Sequence, residues 1–598
     1  MPAVTECSRA VHQHGASRGF AATGLRDGAT AYPEPMAHQP FVRATSLEAL
    51  RDREFDLLVV GGGITGAGVV LDAAARGMRA ALIDRGDFAS GTSSKSSKLV
   101  HGGLRYLQQG EIALVYEALA ERQRLLRNAP HLVRTLPFLI PMFGKGGVIP
   151  AKISRLLGTA MWGYDLTGGW RVGKVHRRLS QAEALGYMPT LPQERLVSGY
   201  LYYDAAADDA RLVLAVLRTA ALEHGAVVAN RVAAVGVTKD RTGRANGVDV
   251  SADGEEFTIR ARAVVNAAGV WADEVRAFDE GRHPDSIRPA KGVHLTVPWE
   301  LVRNQIATVI PVPSDRRSVF VVPNGRFTYI GTTDTDYDGP VDDPQCTPED
   351  VEYLLAAINA SCTTEITPSD VTGTWAGLRP LVKSASSGRT ADLSRRHKVA
   401  TSPSGVVTIT GGKLTTYREM AADTVDEIVE SVLASGSGFA GYPASSTKRL
   451  RLRGAAGYDT LGLAAEAFPA VPLDVVEHLG TRYGGEAREL MAAIQRDESL
   501  LETVVDGLPY TRAEIEFAIE HEMATDVDDV LSRRTRARLL ARDDSAEAAD
   551  EVAARLVELL GVDHVAAQAQ VEEYQSSVHH ERTSANLPET HLEALIGT

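Results

Sequence analysis

Two glycine motifs far apart in the chain, GGGITGAG at Gly61 to Gly68 and GGKLTTYR at Gly411 to Arg418, point to one nucleotide-binding sheet built from distant parts of the sequence. The first follows an apolar run, Phe55 to Val60, and opens a helix-competent stretch, Val69 to Arg76, the context a dinucleotide fingerprint requires. Gly61, Gly63 and Gly66 let the chain turn tightly, approach a pyrophosphate and pack the helix close to the sheet. Ile64 and Thr65 begin that helix, whose free N–H groups favour an anion. A second short strand ends in Asp84, next to Arg85 and eighteen residues after Gly66, where a carboxylate can accept both hydroxyls of an adenosine ribose.

A separate nicotinamide domain would run on through alternating strands and helices. Instead the chain enters a polar loop, Gly86 to Gly103, rich in Ser, Thr and Gly. Thr92, Ser93, Ser97, Lys98, Leu99, Gly102 and Gly103 offer hydroxyls and backbone donors to a phosphate or a flavin edge, and a cationic and aromatic cluster, His101, Arg105 and Tyr106, closes the segment. In the second motif a strand, Val406 to Thr410, runs into Gly411 and Gly412, and a helix is expected near Thr415. Lys413, Leu414, Thr415 and the helix N-terminus then lie together, with Lys413 and the helix dipole pointing toward one place.

The runs SSKSSKLVHGGLRYL, VVNAAGVWAD (Val264 to Asp273), KGVHL (Lys291 to Leu295), YIGTTDTDYDG (Tyr329 to Gly339), AGLRPL (Ala376 to Leu381), TGGKLTTYR (Thr410 to Arg418) and DVLSRRTRARLL (Asp529 to Leu540) resemble the FAD-dependent glycerol-3-phosphate dehydrogenases. They keep that family's order and span roughly residues 55 to 545. The family is of the glycine/D-amino-acid oxidase type. The resemblance implies oxidation of sn-glycerol 3-phosphate to dihydroxyacetone phosphate, with electrons passed to a membrane quinone. Ala268 and Gly269 join the FAD-binding set, and Lys413 falls at the pyrimidine end of the flavin. Arg105, Arg379 and Arg395 correspond to family positions that meet a substrate phosphate or oxygen, which a bidentate guanidinium suits. Tyr106 adds a neutral hydrogen bond. In the run SRRHKV the role falls to Arg395 or to Arg396.

Oxidising a secondary alcohol requires a group to take the hydroxyl proton, and histidine suits that task near neutral pH. His101 and His294 both match family positions close to the substrate; alternatively Arg379 polarises the oxygen and water or His294 accepts the proton. No histidine or cysteine stands at a defensible linkage site, so FAD is expected to bind non-covalently.

The fold expected to position these groups is α/β: a Rossmann-like FAD-binding domain with an inserted α+β substrate (cap) domain and a C-terminal all-α domain. Residues 1–50 read as a disordered or weakly docked extension. FAD-binding parts are expected at 51–135, 196–280 and 371–433, cap parts at 136–195 and 281–370, a linker at 434–447 and helices over 448–598. At 598 residues and 44% hydrophobic composition the chain can hold several cores. With 63 Lys and Arg against 77 Asp and Glu the net charge is −14, which disfavours nucleic acid as a partner.

Cys7, Cys346 and Cys362 lack metal-ligand spacing and are too few for a disulfide framework, which points to a reducing compartment. No metal is expected. The DxDxDG run from Asp334 to Gly339 imitates half of a calcium loop, but Gln345 stands where the loop needs its bidentate acid; a substrate-domain hairpin fits better. Apolar stretches such as Leu136 to Phe143 are far shorter than the ~18 residues that span a bilayer.

Residues 141–178 hold Lys145, Lys152, Arg155, Arg171, Lys174, Arg177 and Arg178 against Asp165 alone, interleaved with Leu156, Leu157, Trp162 and Trp170. That pattern suits a segment lying in a headgroup layer or an amphipathic helix packed on its own domain, and the resemblance, which implies electron delivery to a quinone in the bilayer, favours the first. The expected location is therefore cytoplasmic, peripheral to the inner face of the cytoplasmic membrane; a homodimer is compatible with the sequence. Two other readings are an oxidase on the same scaffold using dioxygen, and an FAD-binding assembly protein without turnover.

Overall fold

A computed structural model of the chain describes residues 41–103, 111–144, 163, 175–314, 317–383, 397–433 and 441–597. Arg105, Tyr106, Arg395, Arg396 and most of the 141–178 segment lie outside the described residues. From Phe41 onward the chain forms one compact unit.

Leu57–Val60 and Ala80–Ile83 are apolar without alternation, the pattern of strands covered on both faces, and both are buried throughout. They pair in parallel within a six-stranded sheet ordered Lys398–Thr401, Val407–Thr410, Val264–Asn266, Leu57–Val60, Ala80–Ile83, Val227–Ala229. Only the outer strand 398–401 runs antiparallel to its neighbour. Helix Ile64–Ala75 packs on the helices Asp209–His224 and Tyr417–Glu427. Distant parts of the sequence thereby form one nucleotide-binding layer around a shared apolar core.

A larger sheet stands beside it. Leu196–Ala207 pairs along Val133–Phe143 and also meets Leu99–Val100 and Arg177–Ser180. Ile287–Pro298 pairs with Phe327–Gly331, Thr335–Asp336 and the whole of Gly373–Val382. Two expected boundaries move as a result. The strand Leu196–Ala207, expected in the FAD-binding part that starts at 196, pairs within the larger sheet, and so does Gly373–Val382, expected in the part that starts at 371. Both are long and almost continuously buried, so their composition does not say which sheet they join.

The extension expected over 1–50 also ends earlier. Arg43–Asp52 is a helix with Leu50 fully buried, and Arg43 donates to Asn230 O at 3.0 Å and to Asp253 Oδ2 at 2.7 Å. Its sequence, RATSLEALRD, has too few apolar residues to show that docking in advance. After residue 441 the regular elements among the described residues are all helical, from Thr447–Arg449 to Leu592–Ile596.

Candidate active site

The turn of the first motif is shaped by contacts that exclude side chains. Gly61 has φ +116°, and a Cβ there would lie 2.6 Å from Ala267 O. A Cβ on Gly66 would lie 1.9 Å from Gly61 O, so the helix begins directly against the turn. Gly63 is the N-cap of helix Ile64–Ala75 and supplies no side-chain cap; Ile64 N donates to Ser93 Oγ at 2.9 Å, and Thr65 lies in the first turn. The loop hydroxyls and the helix N-terminus are thus one structure.

Asp84 accepts from Gly62 N at 2.6 Å and Gly86 N at 2.8 Å. Burial pushes its carboxyl up, against the pull of those two N–H groups. Each carboxylate oxygen retains a second lone pair for a ribose hydroxyl. Arg85 lies over Trp271 at 4.8 Å, close to Ala268 and Gly269, which open the turn Gly269–Trp271. A side-chain-free turn, a helix N-terminus with no side chain at its N-cap residue and an acid at the next strand end fit the adenine, ribose and pyrophosphate of FAD.

The second motif meets the polar loop at His101. His101 N donates to Thr415 Oγ1 at 3.1 Å, and Thr415 Oγ1 returns a bond to His101 O at 3.4 Å. Gly102 N donates to Asp204 Oδ1 at 3.2 Å, and Gly103 has φ +77°. Gly412 has φ +79°, with Met420 where a Cβ would stand. Lys413 is half-buried and precedes a single tight turn, Leu414–Thr416, before helix Tyr417–Glu427 begins; the expected start near Thr415 is therefore a 3₁₀ turn leading into the helix.

His294 and Arg379 lie on neighbouring strands. His294 faces Trp375 in register and stacks on it, with ring centroids 4.7 Å apart and planes 6° from parallel. Its Nε2 is 2.9 Å from Ser97 Oγ, so the polar loop reaches the larger sheet here, and its Nδ1 is buried without a hydrogen-bond partner among the described residues. Burial, with the Lys98 and Arg379 charges adding, holds the imidazole well below its ordinary pKa, so it is neutral at pH 7. Arg379 lies across Gly292, where a Cβ would fall 2.5 Å from Nη2. Its guanidinium donates to Asp334 Oδ1 at 3.0 Å, Thr333 O at 3.2 Å and Thr332 Oγ1 at 3.3 Å. Asp334 and Asp336 of the calcium-like run pair with Arg379 and Arg288.

Other residues of the loop have structural partners. Thr92 Oγ1 donates to Leu378 O at 2.6 Å, and Leu99 is buried in its pairing with Ala206. Lys98, expected at the cofactor, is buried and donates to Asp209 Oδ1 at 3.2 Å. Burial pushes its ammonium down to about 8, against the Asp209 carboxylate.

Sequence reasoning missed the residues that clamp this loop. Asp87 accepts from Arg534 at 2.7 and 2.8 Å and from Arg533 at 2.5 Å, while Arg536 meets Asp208 at 2.8 Å and Asp209 more closely still. The run SRRTRAR was the available signal, an unusual density of arginine beside apolar residues.

The family model described as FAD dependent oxidoreductase matches residues 56–418, and that described as C-terminal domain of alpha-glycerophosphate oxidase matches 445–567. Fold and site therefore define an FAD-dependent oxidoreductase. The chain is 38% identical over 569 residues to glycerol-3-phosphate dehydrogenase 2 of Mycobacterium bovis, covering 94% of each chain. It is 37% identical to the mitochondrial glycerol-3-phosphate dehydrogenase of Rattus norvegicus, over 90% of this chain and 74% of that one. The crystal structure of the glycerol-3-phosphate dehydrogenase from Bacillus halodurans complexed with FAD matches with a TM-score of 0.72 at 29% identity, covering 91% of this chain and 97% of that one. The chain belongs to the FAD-dependent glycerol-3-phosphate dehydrogenase family.

Proposed function

We propose that this protein oxidises sn-glycerol 3-phosphate to dihydroxyacetone phosphate and passes the electrons to a membrane quinone from the cytoplasmic face of the membrane. The observation that carries the chemistry is the convergence of His294, Arg379 and the polar loop on two paired strands. The Gly61–Gly66 turn, Asp84 and the Gly412–Thr415 turn would hold FAD without a covalent bond, and bound FAD supplies the hydride acceptor. Ser97 Oγ lies 2.9 Å from His294 Nε2 and fixes the neutral ring, which serves as acceptor for the substrate hydroxyl proton. Arg379, its position fixed by Asp334 and Thr332, orients the substrate oxygen or phosphate; the family motifs assign Arg105, Tyr106 and Arg395 or Arg396, outside the described residues, to the same anion.

No described helix is long and apolar enough to cross a membrane. The basic, Trp- and Leu-bearing segment 141–178 supports attachment at the surface. The test is anaerobic reduction with glycerol 3-phosphate followed by reoxidation. Rapid reoxidation by quinone in vesicles supports the reading. Peroxide formed stoichiometrically without quinone dependence would make the protein an oxidase.

A further inference from the structure

Ser97, whose hydroxyl meets His294, sits in a turn whose anchors come from elsewhere in the chain. Asp209, fully buried in the first turn of helix Asp209–His224, accepts from Ser96 N at 3.1 Å, Ser96 Oγ at 2.7 Å and Lys98 Nζ at 3.2 Å. It thus grips the residues on both sides of Ser97. Lys98 has φ +57°, a left-handed conformation that a lysine seldom adopts without such anchoring. Ser96 O accepts the indole N–H of Trp375 at 3.1 Å, and Trp375 is the ring on which His294 stacks. Arg536, buried and supplied by the C-terminal helical region, binds both Asp209 and Asp208 and so balances the carboxylate that holds the turn.

We infer that Asp209 and Arg536 are positioning residues for the reaction: the C-terminal region, through Arg536 and Asp209, fixes Ser97 and, through its contact with Nε2, the orientation and proton placement of the His294 ring. This rests on the proposed role of His294 as proton acceptor. Neither residue touches substrate or cofactor; each acts through Ser97. A buried imidazole whose Nε2 partner is misplaced loses the interaction that decides which nitrogen carries the proton. The groups facing His294 are Ser97 and Lys98 from the loop, Trp375 and Arg379 from strand Gly373–Val382, and the Gly331 backbone from strand Phe327–Gly331.

The experiment is a mutant cycle on the FAD-loaded enzyme using Ser97→Ala, Arg536→Met and the double variant, with Arg536→Lys and Asp209→Asn as further probes. Anaerobic stopped-flow gives the limiting rate of flavin reduction and the half-saturating glycerol 3-phosphate concentration. FAD content, melting temperature and the pH profile of the rate are measured alongside. Ser97→Ala and Arg536→Met should each lower the limiting rate by at least about tenfold, leave half-saturation within about twofold, and change the acidic limb of the pH profile in the same way. The double variant should be no slower than the slower single variant, because both changes act on one hydrogen bond.

Rate losses that multiply in the double variant, or an Arg536→Met enzyme with full rate and an unchanged pH profile, would overturn the inference. Should Arg536→Met lose FAD or fail to fold, Arg536→Lys combined with Ser97→Ala decides by the same criterion. His294→Gln separates the two levels. A full rate in that variant refutes the role of His294 itself, whereas a lost rate together with a multiplicative cycle refutes only the positioning by Asp209 and Arg536.

Discussion

At the Gly61–Gly66 turn the chain is held by its own backbone, with glycines in contact with carbonyl groups at Ala267 and Gly61. Some twenty residues later, at Asp87, the same cofactor loop is held by side chains: the carboxylate is buried between Arg533 and Arg534, and Asp208 and Asp209 meet Arg536 nearby. In the first region only Asp84 and Ser93 join the backbone, each accepting one N–H of the turn, and its geometry follows from residue type. The second is an ionic seam between the nucleotide-binding layer and the C-terminal helices, and its geometry follows from charges far apart in the sequence. Backbone contacts leave space and N–H groups for a ligand, whereas the seam fills its space with protein. On the proposed function, the difference separates residues that would bind the cofactor from residues that hold the loop still.

The largest expected effect lies in the seam. Arg534→Met leaves Asp87 buried and short of its bidentate partner, and breaking such a pair from one side costs about 3–5 kcal/mol. Denaturant unfolding should show that loss. A cost below about 1 kcal/mol would mean that the seam contributes no more than an exposed ion pair.

Acid should act on the same region first. Burial would raise the Asp87, Asp208 and Asp528 carboxyls, yet the adjoining arginines outweigh it and hold all three well below the usual range; Glu514 is held at about 2, where His478 and Arg482 outweigh its burial. A carboxyl depressed in the folded state contributes stability that is complete above its unfolded pKa and is lost as pH falls through the folded value. The window therefore opens near pH ~4 and extends to pH ~2 and below. Hydrogen exchange over that window should loosen the seam around residues 526–542 before the 57–83 strands; simultaneous loosening would erase the contrast between the two regions.

Gly66→Ala sharpens the comparison from the other side. The added Cβ meets a backbone carbonyl that has little room to move, an overpacking cost of about 1–3 kcal/mol falling on the cofactor turn. FAD affinity should drop by about tenfold or more while the C-terminal helices keep their exchange protection. Normal FAD affinity would place the dinucleotide elsewhere.

The smallest effect is expected at Thr415→Val, which removes the two hydrogen bonds joining the second glycine motif to His101. A neutral hydrogen bond contributes about 0.5–1.5 kcal/mol net, so a melting curve should shift only slightly and flavin reduction should slow modestly. A loss as large as that of Arg534→Met would show that side chains, and not backbone, hold the cofactor side as well.

The same contrast explains what was legible in the sequence. Gly61, Gly66, Asp84 and the 57–60 and 80–83 strands could be read because tight turns and parallel strands depend on local residue types. His294 and Arg379 could be read only through their family motifs, since one histidine or arginine within a strand has no pattern of its own. The sheet membership of Leu196–Ala207 and Gly373–Val382 was hidden because a strand buried on both faces looks the same in either sheet. Asp87, Asp209 and Arg536 were hidden for the opposite reason. Charged residues are mostly exposed, and only the folded chain brings together residues that lie hundreds of positions apart.

The central claim is that His294, Arg379 and the glycine turns together make an FAD site that oxidises sn-glycerol 3-phosphate. Its most direct test is to mix the purified enzyme with that substrate in the absence of oxygen and follow the visible absorption of the flavin. The account predicts that the absorption bleaches as dihydroxyacetone phosphate appears in stoichiometric amount, in the parent and not in His294→Gln. A flavin that stays oxidised in the parent enzyme would contradict it.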